Sequence, residues 1–388
     1  MEKKVLFCAT KDYHFEAFHL PYFKWFKEQG YEVHTAAHGD LVLPFVDKKH
    51  ILPIQRSPIK IDNLKAYKDL EKLIESNNFQ LVHCHTPMGG VLARLAGRKA
   101  REKGTKMIYT AHGFHFCKGS PLINWLLYYP IEKYLAKLTD CLITINEEDF
   151  QLARKRNFKA QEIKHVHGVG VDTERFHPVS PFYRSVLRLE KGYRDDDFLM
   201  FYAAEFNKNK NQQLLLRSFS LIKGEVPNAR LLLAGAGPLL DECRKLAETL
   251  GISENVDFLG FRNDIDVLLK ISDLAVASSL REGLPVNIME AMACGLPVVG
   301  NVNRGHLELI RNKENGFVVP TGNVELFSQK IIEMFHLNDL RKEMGRKSEM
   351  IIKGYDLNRV GTELSEIYLR YMVEDSNETK DKYYRAYI

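Results

Sequence analysis

Residues 278–297 read SSLREGLPVNIMEAMACGLP and carry two carboxylates, Glu282 and Glu290, with seven residues between them. From Gly283 to Asn303, Glu290 is the only charged residue. Its neighbours Val286, Ile288, Met289, Ala291, Met292 and Cys294 predict a helix that is apolar nearly all round, and such a helix is usually buried. A lone carboxylate is rarely buried without a partner, so Glu290 needs one that its own helix does not supply. Glu282 comes earlier, in a loop closed by Gly283 and Pro285, and proline is well placed in the first turn of a helix. Loop acid, helix start and helix acid set two acceptor groups beside a helix N-terminus, whose free N–H groups and dipole favour an anion. A ligand with hydroxyls for the acids and phosphates for the helix end suits all three. The alternative is a buried ion pair tying the helix to a neighbouring element.

Apolar runs flank this stretch at 274–277 and 297–300, making it the middle of a strand–helix–strand unit. The same alternation extends both ways. Further strands are expected at 5–9, 31–37, 81–84, 107–110, 141–145, 163–166, 198–203, 230–234, 256–259 and 316–319. Helices are expected at 17–29, 64–76, 90–103, 122–138, 149–157, 211–223, 239–250, 265–271, 286–294, 324–335 and 339–353. Short, fully apolar strands between helices predict an α/β fold of parallel sheets covered on both faces. Residues 178–197, PVSPFYRSVLRLEKGYRDDD, have two prolines followed by charge and read as a linker with a short helix. The expected divisions are therefore 1–178, 179–354 and 355–388. The last contains an amphipathic helix at 357–371 and a polar tail, 374–388, expected to fray. Two doubly wound domains bind ligands at the carboxyl ends of their strands, and a cleft between two such domains is the natural site.

At 388 residues the chain exceeds what one core usually supports. Composition is that of an ordinary soluble protein, 45% apolar and 27% charged. No stretch approaches the roughly 18 apolar residues of a spanning helix, and MEKKVLFCAT runs straight into a strand pattern, so no signal peptide is read. Six scattered cysteines without a C-x-x-C fit reduced, buried thiols in a cytoplasmic protein better than disulfides or zinc. The net charge of +5 is uneven: residues 1–178 hold 27 Lys+Arg against 20 Asp+Glu, and 12 of the 14 histidines. A mildly basic half could meet an anionic membrane face or an anionic acceptor, or be a solvated surface. No nucleic-acid-binding module is present, so nucleic acid is not an expected partner.

Loops at expected strand ends hold the remaining candidates. Thr10-Lys11-Asp12-Tyr13-His14-Phe15, with His19 beyond, is not glycine-rich. His83-Cys84-His85 places two imidazoles on alternating strand positions, which share a face only if the strand continues through them. No third ligand at a sensible spacing follows, and no metal is expected. Tyr109-Thr110-Ala111-His112-Gly113 brings an imidazole to another strand end, either for a substrate or as a hydrogen-bonded structural residue. Glu205-Phe206-Asn207-Lys208-Asn209-Lys210 precedes a helix, and lysines at a helix start suit phosphate; a solvated turn is the alternative. Gly235-Ala236-Gly237 has Leu240 where a dinucleotide fingerprint has its third glycine. Asn303-Arg304-Gly305-His306 reads as a helix cap. The stretch 122–138, with Trp125, Tyr128 and Tyr129, is either a helix covering the sheet or one lying on a membrane.

With these residues laid out, the chain resembles the retaining glycosyltransferases of family 4, of GT-B architecture. The resemblance rests on Glu282…Glu290 as their E-x7-E motif, on Tyr109-Thr110-Ala111-His112-Gly113, and on GVGVDTERF at 168–176. Gly235-Ala236-Gly237-Pro238, GHLELI at 305–310 and Asn315-Gly316-Phe317 support it. Within the family, ATKDYHFEAFHLPYFKWFK, VHCHTPMGGVLARLAGRKA, YTAHGFHFCKGSP and NWLLYYPIEKYLAKLTDCLITINEED are similar to the EpsD-type exopolysaccharide (biofilm or capsule) branch. This implies a bacterial enzyme with two Rossmann-like domains facing a cleft and a final helix crossing back to the first domain. It would carry a sugar from a nucleotide sugar, as a rule a UDP-sugar, to a lipid-linked saccharide at the inner face of the plasma membrane, in contact with other polysaccharide-assembly enzymes.

The resemblance also implies roles. Glu290 would accept from the ribose hydroxyls, while Glu282 and the N–H groups after it, at Gly283, Leu284 and Pro285's loop, would meet the sugar. Lys210 would neutralise the departing diphosphate, and His112 would lie near the transferred sugar. Gly235, Glu205, Lys208 and Arg281 fall on the donor side, and His14, His19 and His85 on the acceptor side. No cofactor or metal is implied, and turnover in EDTA is expected. The chain departs from the family at Ala204-Glu205, where Gly-Arg is common, so Lys208 or Arg281 would stand in for a phosphate-binding arginine. It departs again at Asp12-Tyr13-His14, where Gly-Gly is frequent. With no obvious side-chain nucleophile, front-face attack with retention is expected. Other readings are a non-catalytic nucleotide-sugar-binding partner, a UDP-sugar epimerase and an NAD(P)-dependent oxidoreductase.

Overall fold

The apolar runs become the strands of two parallel sheets in a computed structural model that describes residues 2–372. The first sheet contains β1 (Glu2–Lys11), β2 (Glu32–His38), β3 (Lys48–Ile51), β4 (Phe79–His85), β5 (Lys106–Ala111), β6 (Cys141–Thr144) and β7 (Glu162–His165). Its order is β3-β2-β1-β4-β5-β6-β7, every pairing parallel. The second contains β8 (Phe198–Ala203), β9 (Ala229–Ala234), β10 (Val256–Gly260), β11 (Leu274–Ala277), β12 (Val298–Asn301) and β13 (Gly316–Val319). Its order is β10-β9-β8-β11-β12-β13, again parallel. Each sheet reverses direction once, at β1/β4 and at β8/β11. The chain thus has the two Rossmann-like domains of GT-B glycosyltransferases.

Burial on both faces explains why the centre of β1, residues 5–9, is apolar throughout. Leu6 and Cys8 join one core layer with Val82, Cys84 and Tyr109, while Val5, Phe7 and Ala9 join the other with Leu81, Ile108 and Ile143. The helix Leu357–Met372 completes this second layer with Val360, Leu364, Ile367 and Tyr368. Each of its three aliphatic side chains contributes about 1.5–3 kcal/mol by leaving water. Within the described residues, the first compact unit accordingly runs to Val169 and resumes at Val360, and Gly170–Arg359 form the second. The tail at 374–388 lies outside the described residues.

Residues 178–197 hold the expected short helix but lie inside the second unit, not between two units. Ser180 caps the helix Pro181–Glu190 through the Tyr183 N–H. Arg188, buried, donates to Asp273 at 2.7 Å and to the Ile271 carbonyl, and Arg184 binds the other oxygen of Asp273 at 2.7 Å. The element is thus riveted to the second unit by charge-assisted bonds that no hydropathy pattern reveals. Strand β3, KKHI, escaped notice because it is a charged, half-exposed edge. The expected helix 17–29 is broken at His19, since Pro21 cannot continue a preceding turn.

Candidate functional site

The switch point of the second sheet lies between the loops that follow β8 and β11, where open parallel sheets place their ligands. Five hydrogen bonds sew these loops together. Leu280 N–H reaches the Asn209 carbonyl at 2.8 Å, and Asn209 Nδ2 the Arg281 carbonyl at 2.9 Å. Ser278 Oγ donates to the Lys210 carbonyl at 2.7 Å, Tyr202 and Ser279 share a hydroxyl bond at 2.6 Å, and Asn287 Nδ2 holds the Ala203 carbonyl at 2.9 Å. In this frame Lys210 Nζ meets Glu282 Oε1 at 2.6 Å. The Glu282 carbonyl is held by Arg304 Nε at 3.0 Å.

Gly283, Leu284 and Pro285 lead into the helix Val286–Ala293, whose N-cap is Pro285. Ile288, Met289, Ala291, Met292 and Ala293 are buried as the apolar pattern requires. Glu290 is partly exposed and makes no hydrogen bond or ion pair among the described residues. Burial pushes its carboxyl up to about 7, against the pull of Arg175 and with a further push from Asp266. The expected ion pair therefore belongs to Glu282, while the helix acid is left for a ligand. Arg175, which sequence reasoning left unassigned, donates to Asp266 at 3.1 Å and to the Asn263 carbonyl at 2.9 Å. Its position in GVGVDTERF was the signal available.

Glu205 is exposed and accepts from Asn207 Nδ2 at 3.0 Å; Lys208 and Arg281 are exposed in the two sewn loops. Gly235 and Gly237, at φ +135° and +153°, let the loop after β9 press on the loop after β8. A Cβ on Gly235 would lie 2.1 Å from the Ala204 carbonyl oxygen, and one on Gly237 2.5 Å from that of Phe206. These glycines are accounted for by loop packing without a dinucleotide. Asn303 caps the helix Arg304–Leu309 through the His306 N–H, as its spacing predicted.

In the first unit the switch point gathers histidines. Strand β4 continues through His83 and His85, so the two rings share a face, with centroids 4.0 Å apart. His14 and His19 arrive from the segment after β1, and His112 from the end of β5. The His14 and His112 rings are 4.8 Å apart, those of His19 and His85 4.1 Å. His85 Nδ1 and His112 Nε2 are 3.3 Å apart. His83, missing from the expected site, bonds the Tyr368 hydroxyl and Thr110 Oγ1, each at 2.8 Å, and so ties the last helix to the sheet.

Burial holds all five imidazoles neutral near pH 7. It lowers His19 to about 3, helped by the charge of His112, and His112 to about 4. His14, His83 and His85 are also lowered by burial, with mutual repulsion adding to it. Asp12 takes the place where the family has glycine, accepting from the Leu41 N–H at 2.8 Å and from Lys49 at 3.1 Å. A cavity of about 20 Å³ opens beside His19, His85, His112, Tyr22 and Tyr368.

Both units match known families. Residues 185–350 match "Glycosyl transferases group 1" and residues 4–146 match "Glycosyl transferase 4-like". A protein of Bacillus subtilis (strain 168) described as "Putative glycosyltransferase EpsD" is 50% identical over 378 residues, 97% of this chain and 99% of its own length. The Escherichia coli UDP-Gal:alpha-D-GlcNAc-diphosphoundecaprenol alpha-1,3-galactosyltransferase is 27% identical, over 81% of each chain. Among solved structures, Anabaena Alr3699/HepE in complex with UDP and glucose has the same fold, with a TM-score of 0.78 over 95% of this chain and 100% of that one, at 19% identity.

Proposed function

The chain belongs to the group 1 glycosyltransferases, and from that premise we propose that it moves a sugar, with retention, from a UDP-sugar to a lipid-linked saccharide in bacterial exopolysaccharide or capsule synthesis. The observation that carries the donor half is Glu290, an acid without an ion pair among the described residues, on the helix that follows the Lys210–Glu282 pair at the switch point of the second sheet. Its carboxylate would take the ribose hydroxyls, and Glu282 with the backbone after it would take hydroxyls of the transferred sugar. The uridine base is the choice favoured by the E. coli relative, whose name carries both a UDP-sugar and a diphosphoundecaprenol-linked acceptor.

In the transfer the bond from the anomeric carbon to the diphosphate oxygen breaks, and a bond to the acceptor oxygen forms on the same face. The diphosphate leaves with its electron pair and takes the acceptor's proton. Lys210 would receive the growing negative charge, so added Mg2+ or Mn2+ is not needed for this step. His14, His19, His85 and His112 are assigned to the acceptor side, with His112 near the transferred sugar. Calorimetry against UDP- and GDP-sugars tests the reading. Binding of a UDP-sugar that Glu290→Gln weakens supports it; a GDP-sugar preference overturns the donor, and a product formed without acceptor points to an epimerase.

Peripheral membrane contact is favoured by one element. The helix Leu122–Leu135 exposes Leu122, Ile123, Leu126, Leu127, Ile131 and Tyr134, with Lys118 and Lys137 exposed near its ends. Among the described residues no helix is long and apolar enough to cross a membrane. A row of apolar side chains with lysines beside it suits an anionic bilayer surface.

A further inference from the structure

Three of the clustered histidines are arranged differently from the other two. One ring nitrogen from each of His14, His19 and His85 lies within 4.8 Å of the others, and all three residues are buried. Their outer contacts leave Nε2 as the available atom. His19 Nδ1 faces the His14 carbonyl at 3.3 Å, an acceptor only, so the proton sits on Nδ1 and the Nε2 lone pair is free. His85 Nδ1 is engaged by His112 Nε2 at 3.3 Å, and its Nε2 is buried with no partner. His14 Nε2 is likewise buried and unpartnered, and so is the hydroxyl of Tyr22, which lines the adjoining cavity. His83 is excluded because both its nitrogens are already bonded.

Unpartnered buried nitrogens cost free energy unless something meets them. We propose that His14, His19 and His85 bind one divalent transition-metal ion of the Zn2+ class through three imidazole nitrogens. Tetrahedral Zn–N bonds of about 2.0–2.1 Å place ligand nitrogens roughly 3.3 Å apart, so the rings close by about an ångström on binding. A borderline ion with a preference for imidazole fits this set; Mg2+ and Ca2+, which demand oxygen, do not. The His14 carbonyl and His112 serve as the outer partners that orient ligating imidazoles. A fourth position remains for water, for which the cavity of about 20 Å³ has room. The site rests on the same histidines as the acceptor-side assignment and adds a cation to them; it lies wholly in the first unit, whereas the lysine assigned to the diphosphate belongs to the second.

The test uses untagged full-length protein, stripped with a chelator and titrated with Co2+ and then Zn2+. One equivalent of Co2+ should give the visible ligand-field bands of a four-coordinate nitrogen site, and Zn2+ should bleach them. His14→Ala and His85→Ala should each weaken binding by at least about tenfold, the lower range seen when mere supporting residues are lost. His34→Asn, which alters the separate His34–His50 pair, should leave the bands unchanged. Should the alanine variants fail to fold by circular dichroism, zinc-edge X-ray absorption on the wild-type protein counts the imidazoles directly. Absence of a stoichiometric Co2+ spectrum, fewer than three imidazoles, or binding that survives His14→Ala and His85→Ala overturns the proposal.

Discussion

At the residue scale, Glu290 lowers the stability of the fold wherever its carboxyl is ionised. Its carboxyl titrates at about 7 in the fold against 4.5 for an ordinary glutamate, so the folded state holds the proton longer than the unfolded one. The sign follows: stability is greatest below about pH 4.5 and falls as pH rises through 7, by on the order of 1–3 kcal/mol after allowing for partial exposure. Glu290→Gln should therefore raise the melting temperature at pH 8 and leave it unchanged at pH 5. The same variant should lose about ten- to hundredfold in UDP-sugar affinity, because hydrogen bonds to a charged acceptor are worth about 1.5–3 kcal/mol. A variant neither stabilised at pH 8 nor weakened in binding removes Glu290 from the donor site. Glu205 offers the opposite experiment, since it puts a carboxylate where the family resemblance leads one to expect an arginine. Glu205→Arg should tighten UDP binding several-fold in low salt, and an unchanged calorimetric Kd would show that Lys208 and Arg281 already supply the charge. The glutamate pair was legible because a lone acid in an apolar helix is anomalous in sequence. The histidine cluster was legible only residue by residue, since it is assembled from the ends of β1, β4 and β5, brought side by side by strand pairing rather than by spacing. The chain beyond His85 offers no partner at a useful spacing, because His14 and His19 lie far before it.

At the element scale, the helix Leu122–Leu135 has two unlike faces. Inward, Glu132 accepts from the fully buried Arg94 at 2.8 Å, and the Arg94 guanidinium lies 3.8 Å from the Tyr109 ring centroid. Trp125, Tyr128 and Tyr129 pack on the core beside it. Outward, six large apolar side chains face solvent. Replacing Leu122 and Leu126 with Asp should leave stability within about 1 kcal/mol of the parent, as changes at exposed positions do. It should abolish flotation with anionic liposomes, and flotation unaffected by the double change would assign the face to another role. Glu132→Ala should instead cost about 3–5 kcal/mol, because it strands a buried guanidinium. Of the two readings of this stretch, the helix covering the sheet is the one the packed face bears out. Its tyrosines and tryptophan marked the packed face, but a nearly uniform apolar sequence with Pro130 inside gave no period from which to read the second one. Elsewhere, strand and helix limits followed the hydrophobic runs to within a few residues. The miss, β3, is an element held by edge pairing, and what the sequence did not show of the short helix at Pro181–Glu190 was the arginine–carboxylate bonds that fix it.

At the scale of the molecule, the two units carry unequal pH liabilities. The first clusters five histidines, four buried and His112 partly exposed, that stay neutral in the fold, with pKa values below the usual 6.5, while in the unfolded chain they protonate normally. Its stability is therefore complete above about pH 6.5 and declines as pH falls below it, at up to about 1.4 kcal/mol per pH unit for each histidine that remains neutral. The second unit holds one such buried histidine, His306, lowered to about 4, and sets against it Glu290, which gains stability over the same descent. Between about pH 7.5 and 5.5 the two should thus diverge in metal-free protein. Hydrogen exchange read by mass spectrometry, corrected for intrinsic rates, resolves them. Protection of β1 and β4 should drop by an order of magnitude or more, while that of β11 and β12, where His306 and Glu290 offset each other, should change little. His83→Asn, which removes one titrating ring but leaves polar partners for Tyr368 and Thr110, should make the acid loss in β1 and β4 shallower. Equal loss in both sheets would mean that acid acts through general charge repulsion and not through the buried imidazoles. The difference follows from composition, since the half that holds 12 of the 14 histidines also folds five of them into one core.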